Sequence, residues 1–158
     1  MKNINHLSPG FEFPETVIQV SEEEQRHKLS CCDIDGAIYG NEVDITMLGL
    51  PTLEILMAAD VPVLGAVHLF QKFHQHSPFV LGEAIIVNGK IREVLPHERG
   101  CILSCEFRYT DPMGNVRVEA QRSGIVPVGA KEKSHENFRP AEQLDGCLLY
   151  TSPSPRDS

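Results

Sequence analysis

A chain of 158 residues, 41% hydrophobic and 23% charged, is long enough for one packed core, and one domain is expected. Its net charge of −8 argues against a phosphate-backbone partner, because nucleic-acid affinity comes mostly from Lys and Arg neutralising phosphates, so no nucleic acid is expected. The apolar runs on either side of Asp60 are far shorter than the about 20 residues that span a bilayer, and no membrane partner is expected.

Met1-Lys2-Asn3-Ile4-Asn5-His6 lacks the apolar core and small-residue cleavage site of a secretory signal, which predicts a reducing, cytoplasmic location. The five cysteines form no CxxC spacing. Cys101 and Cys105 fall four apart in a predicted strand, about 13 Å from each other, too far for a disulfide or a shared metal. The thiols read as structural, and no metal is expected.

In chain order, residues 1–14 read as an irregular lead-in with a short extended piece at 11–13, and 16–20 is a β-branched run. Ser21-Glu22-Glu23-Glu24 is a capping box, in which hydroxyl and carboxylate satisfy the orphan amides of a first turn, and predicts a helix over 22–32. Gly36, Gly40 and Gly49 break any long period between residues 33 and 50, predicting turns with short extended pieces. Leu50-Pro51-Thr52 offers a second helix start. Leu53, Ile55, Leu56, Met57, Ala58 and Ala59 are apolar nearly all round, which predicts a short helix buried on most sides, ended by Asp60 and Pro62.

The second half reads as strands over 67–74, 82–95 and 101–110. Cys101, Leu103, Cys105, Phe107 and Tyr109 alternate against Ser104, Glu106, Arg108 and Thr110, and Val116, Val118 and Ala120 continue the pattern against Arg117, Glu119 and Gln121. Pro96 to Gly100 and Asp111 to Asn115 supply the linking turns. Gly124 and Pro127 predict a bulge or an edge near the end of the last strand. Residues 129–146 carry no apolar face and read as a polar linker. Residues 147–158 read as a tail foreign to the natural protein, because 147–157 match a translated transposon-type sequencing adapter; the natural protein is then expected to continue past residue 146. Early helices followed by long strands make an α+β domain over 1–128, and the apolar helix is the one element suited to fill a curved antiparallel sheet, the arrangement of a hot dog fold.

Leu50-Pro51-Thr52, then the run from Val67-His68-Leu69-Phe70 through His74-Gln75-His76-Ser77-Pro78-Phe79 to Gly82-Glu83, resembles the MaoC-like acyl dehydratase and hydratase group. The likeness is to the N-terminal half of its double hot dog members and covers roughly residues 11–128. It implies reversible addition of water across a 2-enoyl thioester, with an acyl-CoA or acyl carrier protein substrate and no cofactor. It also implies a general-base Asp and His, with a helix N-terminal amide polarising the thioester carbonyl.

The chain departs from that pattern where the signature belongs. Tyr39-Gly40-Asn41-Glu42-Val43-Asp44 is not followed by Pro-x-His, and no His lies between His27 and His68. No catalytic residue is therefore assigned, which agrees with a non-catalytic, acyl-binding first half. The resemblance makes Pro51, Thr52, His68, His76, Pro78 and Gly82 the candidate substrate-binding residues. Each has a plainer reading: Pro51-Thr52 as a helix start, and His68, His74 and His76 as packed or solvated side chains along one strand face. Two alternatives stay open, a thioesterase using Asp44 or Glu54 to activate water, and a binding module without turnover. Exposed strand edges predict pairing with a second hot dog repeat or a second copy.

Overall fold

The structure, a computed structural model, describes residues 7–127. The predicted linker and tail lie outside the described residues.

Ser21 caps the first helix as its sequence demands. Its hydroxyl accepts from the Glu24 amide while the Glu24 carboxylate accepts from the Ser21 amide at 2.9 Å, and α1 runs Glu22–Cys31. Before it, β1 is the short strand Thr16–Ile18. Between the helices the chain makes two single 3-10 turns, Gly36–Tyr39 and Ile45–Leu48, opened by Asp35 and Asp44. The expected extended pieces reduce to one isolated bridge, Glu42 to Val80.

Helix α2, Gly49–Ala58, follows directly. Four long strands complete the described residues: β2 Val67–Gln75, β3 Ile85–His97, β4 Gly100–Thr110 and β5 Val116–Val126. With β1 they form one five-stranded antiparallel sheet in the order β1-β3-β4-β5-β2. The short piece at residues 10–13 lies on β3 beside β1, with the Phe13 amide donating to the Gly89 carbonyl at 2.8 Å. This is the α+β hot dog fold, a sheet with a helix against its inner face.

The alternation in β4 decides which face is inner. Cys101, Leu103, Cys105, Phe107 and Tyr109 are buried, and their neighbours Ile85, Val87, Ile91, Val118 and Ala120 join them in the core. Leu48, Ile55, Leu56 and Val61 enter that core from the α2 side. The opposite side of α2 does not, because Leu50 is 63% and Met57 49% exposed. A helix lying on one sheet buries one stripe, so the expectation of burial on most sides is corrected.

Near the end of β5 the structure has the expected bulge and not the edge. That strand is interior, between β4 and β2, and the edges are β1 and β2. The bulge lies in β2, where the register slips between His68 and Phe70. Gly124 marks it from across the ladder: a Cβ there would stand 3.0 Å from the Val67 carbonyl oxygen, so a side chain would push the two backbones apart by a few tenths of an ångström. No helix among the described residues is long and apolar enough to cross a membrane.

Candidate functional site

The inner face is filled unevenly. Where α2 crosses β4 and β5, a cavity of about 190 Å³ remains between helix and sheet. Leu53 and Leu56 wall it from the helix, Val63 and Ala66 from the following loop, and Leu103, Cys105 and Val126 from the sheet. Its polar members are His68 and Arg122.

Arg122 is there because of strand parity. Val118, Ala120, Arg122, Gly124 and Val126 share one face of β5, so the guanidinium points to the apolar side. Its Nη1 donates to Thr52 Oγ1 at 2.9 Å, and that hydroxyl in turn donates to the Gly49 carbonyl at 2.7 Å. Burial lowers the pKa of Arg122, while Cys105 and Tyr109 act in the opposite direction. The group keeps its charge, since guanidinium is not deprotonated in proteins. Among the described residues no carboxylate forms an ion pair with it.

Arg122 also lines a second pocket with Arg92, Glu93 and Ser104, whereas its neighbours on the core side are thiol and phenol. Burial pushes the Cys105 thiol up to about 12. Burial also raises the Tyr109 phenol, whose hydroxyl donates to the Leu48 carbonyl at 2.7 Å and ties β4 to the start of α2. Gln71 is the β2 residue opposite Arg122. Its amide lies over the first residue of α2, where a Cβ on Gly49 would be 3.5 Å from Nε2, and that nitrogen is buried without a hydrogen-bond partner. Leaving a buried donor unpaired costs about 1–3 kcal/mol.

The residues singled out from sequence separate into two groups. Thr52, 0% exposed, reaches the cavity through Arg122, and His68 lines it directly. Pro51 is half-buried in the first turn of α2 and does not line it. His76, Pro78 and Gly82 lie apart from it. His76 Nε2 is 3.1 Å from Glu119 Oε2, and its ring packs 4.5 Å from that of His74. The Pro78 carbonyl accepts from Arg117 at 3.1 Å, and Gly82 makes a turn at φ +77°. Arg117 also holds Glu83 at 3.1 Å and lies 5.3 Å from the Phe79 ring centroid.

The three histidines do not share a face, contrary to expectation. The slip at Leu69 sets His68 opposite Gly124 on the inner face, whereas His74 faces Glu119 on the outer one. Among the described residues no group of three or more His, Cys, Asp and Glu could hold a metal ion.

The segment where a catalytic dyad would belong is structural. Val43 N–H donates to the Phe79 carbonyl, and Leu81 N–H to that of Asn41, both at 2.8 Å. Asp44 is 4% exposed, and its carboxylate accepts from Thr46 N at 3.0 Å, Thr46 Oγ1 at 2.7 Å and Lys28 Nζ at 2.9 Å. Burial pushes the Asp44 carboxyl up, but these hydrogen bonds and the Lys28 charge outweigh it and hold the group below its ordinary value. Glu54 is exposed and outside the cavity wall.

No protein-family model and no curated protein sequence matches the chain. Solved structures do. An (R)-hydratase from A. caviae involved in PHA biosynthesis superposes with a TM-score of 0.60 at 15% identity, over 78% of this chain and 99% of its own. The HadBC (3R-hydroxyacyl-ACP dehydratase) complex from Mycobacterium tuberculosis gives 0.60 at 19% identity, over 73% and 95%. A MaoC-like dehydratase from Rhodospirillum rubrum gives 0.58 at 13% identity, over 77% and 94%. At these identities the likeness is one of fold: the chain has the hot dog fold of the MaoC-like hydratases and dehydratases.

Proposed function

We propose that this chain is the acyl-binding, non-catalytic hot dog half of a hydratase or dehydratase acting on 3-hydroxyacyl or 2-enoyl thioesters. The observation that carries the reading is a pair of facts about one fold. An apolar cavity opens between α2 and the sheet, and the segment that would bring an Asp and a His to it holds a fully engaged Asp44 and no histidine. A cavity without an acid–base pair can bind a thioester acyl group by burying its methylenes, each worth about 0.8 kcal/mol, yet cannot activate water.

The (R)-hydratase and the dehydratase that share the fold favour thioester chemistry over other small ligands. HadBC, described as a complex, favours a second hot dog unit as the partner that carries the catalytic groups. The edge strand β2, with Leu69 48% and Phe70 50% exposed, offers unpaired backbone for such pairing. No cofactor enters this reading, and Thr52 and His68 are its substrate-side residues.

The test is a pair of assays on the chain as it stands. Calorimetric titration with butyryl-CoA is expected to show saturable binding, and crotonyl-CoA is expected to remain unhydrated by absorbance. Hydration by the chain alone, or no binding, contradicts the reading.

A further inference from the structure

Arg122 presents a half-buried guanidinium to an otherwise apolar cavity wall, a placement that an anionic ligand would stabilise. Arg122 has one hydrogen bond, to Thr52 Oγ1, and no carboxylate partner among the described residues. Directly across the ladder, Gln71 holds a buried amide nitrogen with no acceptor. Gln71 Nε2 lies over Gly49 at the start of α2 and stands outside the cavity wall, so among the described residues the charged donor of the cavity is Arg122 alone. Arg122 faces a wall of Leu53, Leu56, Val63 and Leu103.

The two halves specify a ligand. Arg donors fit a carboxylate in planar, charge-assisted geometry. The apolar part must be small. A cavity of about 150 Å³ accepts a benzene molecule, so the about 190 Å³ here takes a body of similar size. We infer that this cavity is a binding site for a short aliphatic chain ending in a carboxylate, with Arg122 holding the carboxylate and the α2 side chains covering the methylenes.

The carboxylate has two sources, a free short-chain acid or the far end of a dicarboxylic acyl thioester. Only the second rests on the thioester reading above. In that case the site makes Arg122 a specificity residue, selecting acyl groups that carry a terminal acid over plain ones of equal length.

The full chain is titrated calorimetrically with hexanoate and with hexan-1-ol. The acid is expected to bind at least about tenfold tighter, the factor that one charge-assisted hydrogen bond readily supplies. Arg122→Met is expected to abolish that preference, and Arg122→Lys, which keeps the charge without the planar fork, to weaken hexanoate about threefold while the alcohol is unaffected. Arg122→Lys carries the test if Arg122→Met fails to fold. Equal affinity for acid and alcohol, or acid binding unchanged in the folded variants, overturns the inference.

A second arm compares adipyl-CoA with hexanoyl-CoA. Tighter, Arg122-dependent binding of adipyl-CoA assigns the carboxylate to a thioester acyl group. Hexanoate binding with neither thioester bound assigns it to a free acid, which upholds the site and removes the thioester reading.

Discussion

The two ends of the inner face solve the same packing problem in opposite ways. At one end Gly89 lies beneath Phe107, so close that a Cβ would meet the ring at 2.3 Å, and Phe13 stacks on that ring at 5.8 Å with an interplanar angle of 9°. Phe11 closes the group edge-on, 5.6 Å from Phe13. At the other end, Gly124 again lets backbone approach backbone, but α2 spans a gap that its side chains do not fill, and a charge points into it. The contrast teaches that glycine in a sheet can close space or open it, according to whether an aromatic ring or a strand takes up the room. It also divides the molecule into a filled end and an end with a cavity, where the acyl group is proposed to bind.

The division can be broken by mutation. The largest expected effect is at the closed end: Phe107→Ala removes a ring that is 1% exposed and stacked on Phe13, at a cost of about 3–5 kcal/mol, read as the urea midpoint. Next is Gly89→Ala, which drives a methyl into the Phe107 ring and is expected to destabilise by about 1–3 kcal/mol in the same measurement. Acyl binding by whatever remains folded should be unchanged in both.

A change of pH tests the segment that replaces the dyad. Asp44 and Asp111 are both held below the ordinary carboxylate value. For Asp44, hydrogen bonds and Lys28 overcome burial; for Asp111, the Asn115 side chain leads, aided by its backbone. A depressed folded pKa means that the stability these groups contribute is complete above the unfolded value of about 3.9 and drains away as pH falls through the lower folded one. Asp44→Asn is expected to lower stability at neutral pH and to flatten that acid decline, followed by thermal unfolding across pH.

The smallest effect is expected at the open end. Arg122→Met gives up one hydrogen bond and also an unpaired charge, so stability should move by less than about 1 kcal/mol. A loss as large as that of Phe107→Ala would erase the distinction between the two ends.

How much of this was legible in the sequence follows the same line. The strands β3, β4 and β5 were, because period-two alternation records which face is buried and the Asp111-to-Asn115 turn is encoded locally: the Asp111 carboxylate accepts from the Met113 and Asn115 amides at 3.0 and 2.9 Å. The capping box at Ser21 was equally local. A bulge was legible from Gly124, but its place at Leu69 was not, since Val67-His68-Leu69-Phe70 carries no Gly or Pro. Which strand takes the extra residue is decided by pairing, a long-range contact.

The site fared likewise. Thr52 and His68 could be singled out as site candidates, though the partner of the first and the face of the second depend on β5 and on the slip. Arg122 was open to discovery by extending the Val118–Ala120 alternation by two residues, which puts a charge on the buried face. The unpaired amide of Gln71, beside the site, was hidden, because lacking a partner is a property of the packed structure alone.

The central claim is that an acyl group enters between α2 and the sheet. Methyl-labelled NMR of the chain during addition of butyryl-CoA tests it most directly. Shifts confined to Leu53, Leu56, Val63, Leu103 and Val126 are the result this account predicts. Shifts at the exposed methyls of Leu50, Leu69 and Val80 with those five silent would contradict it.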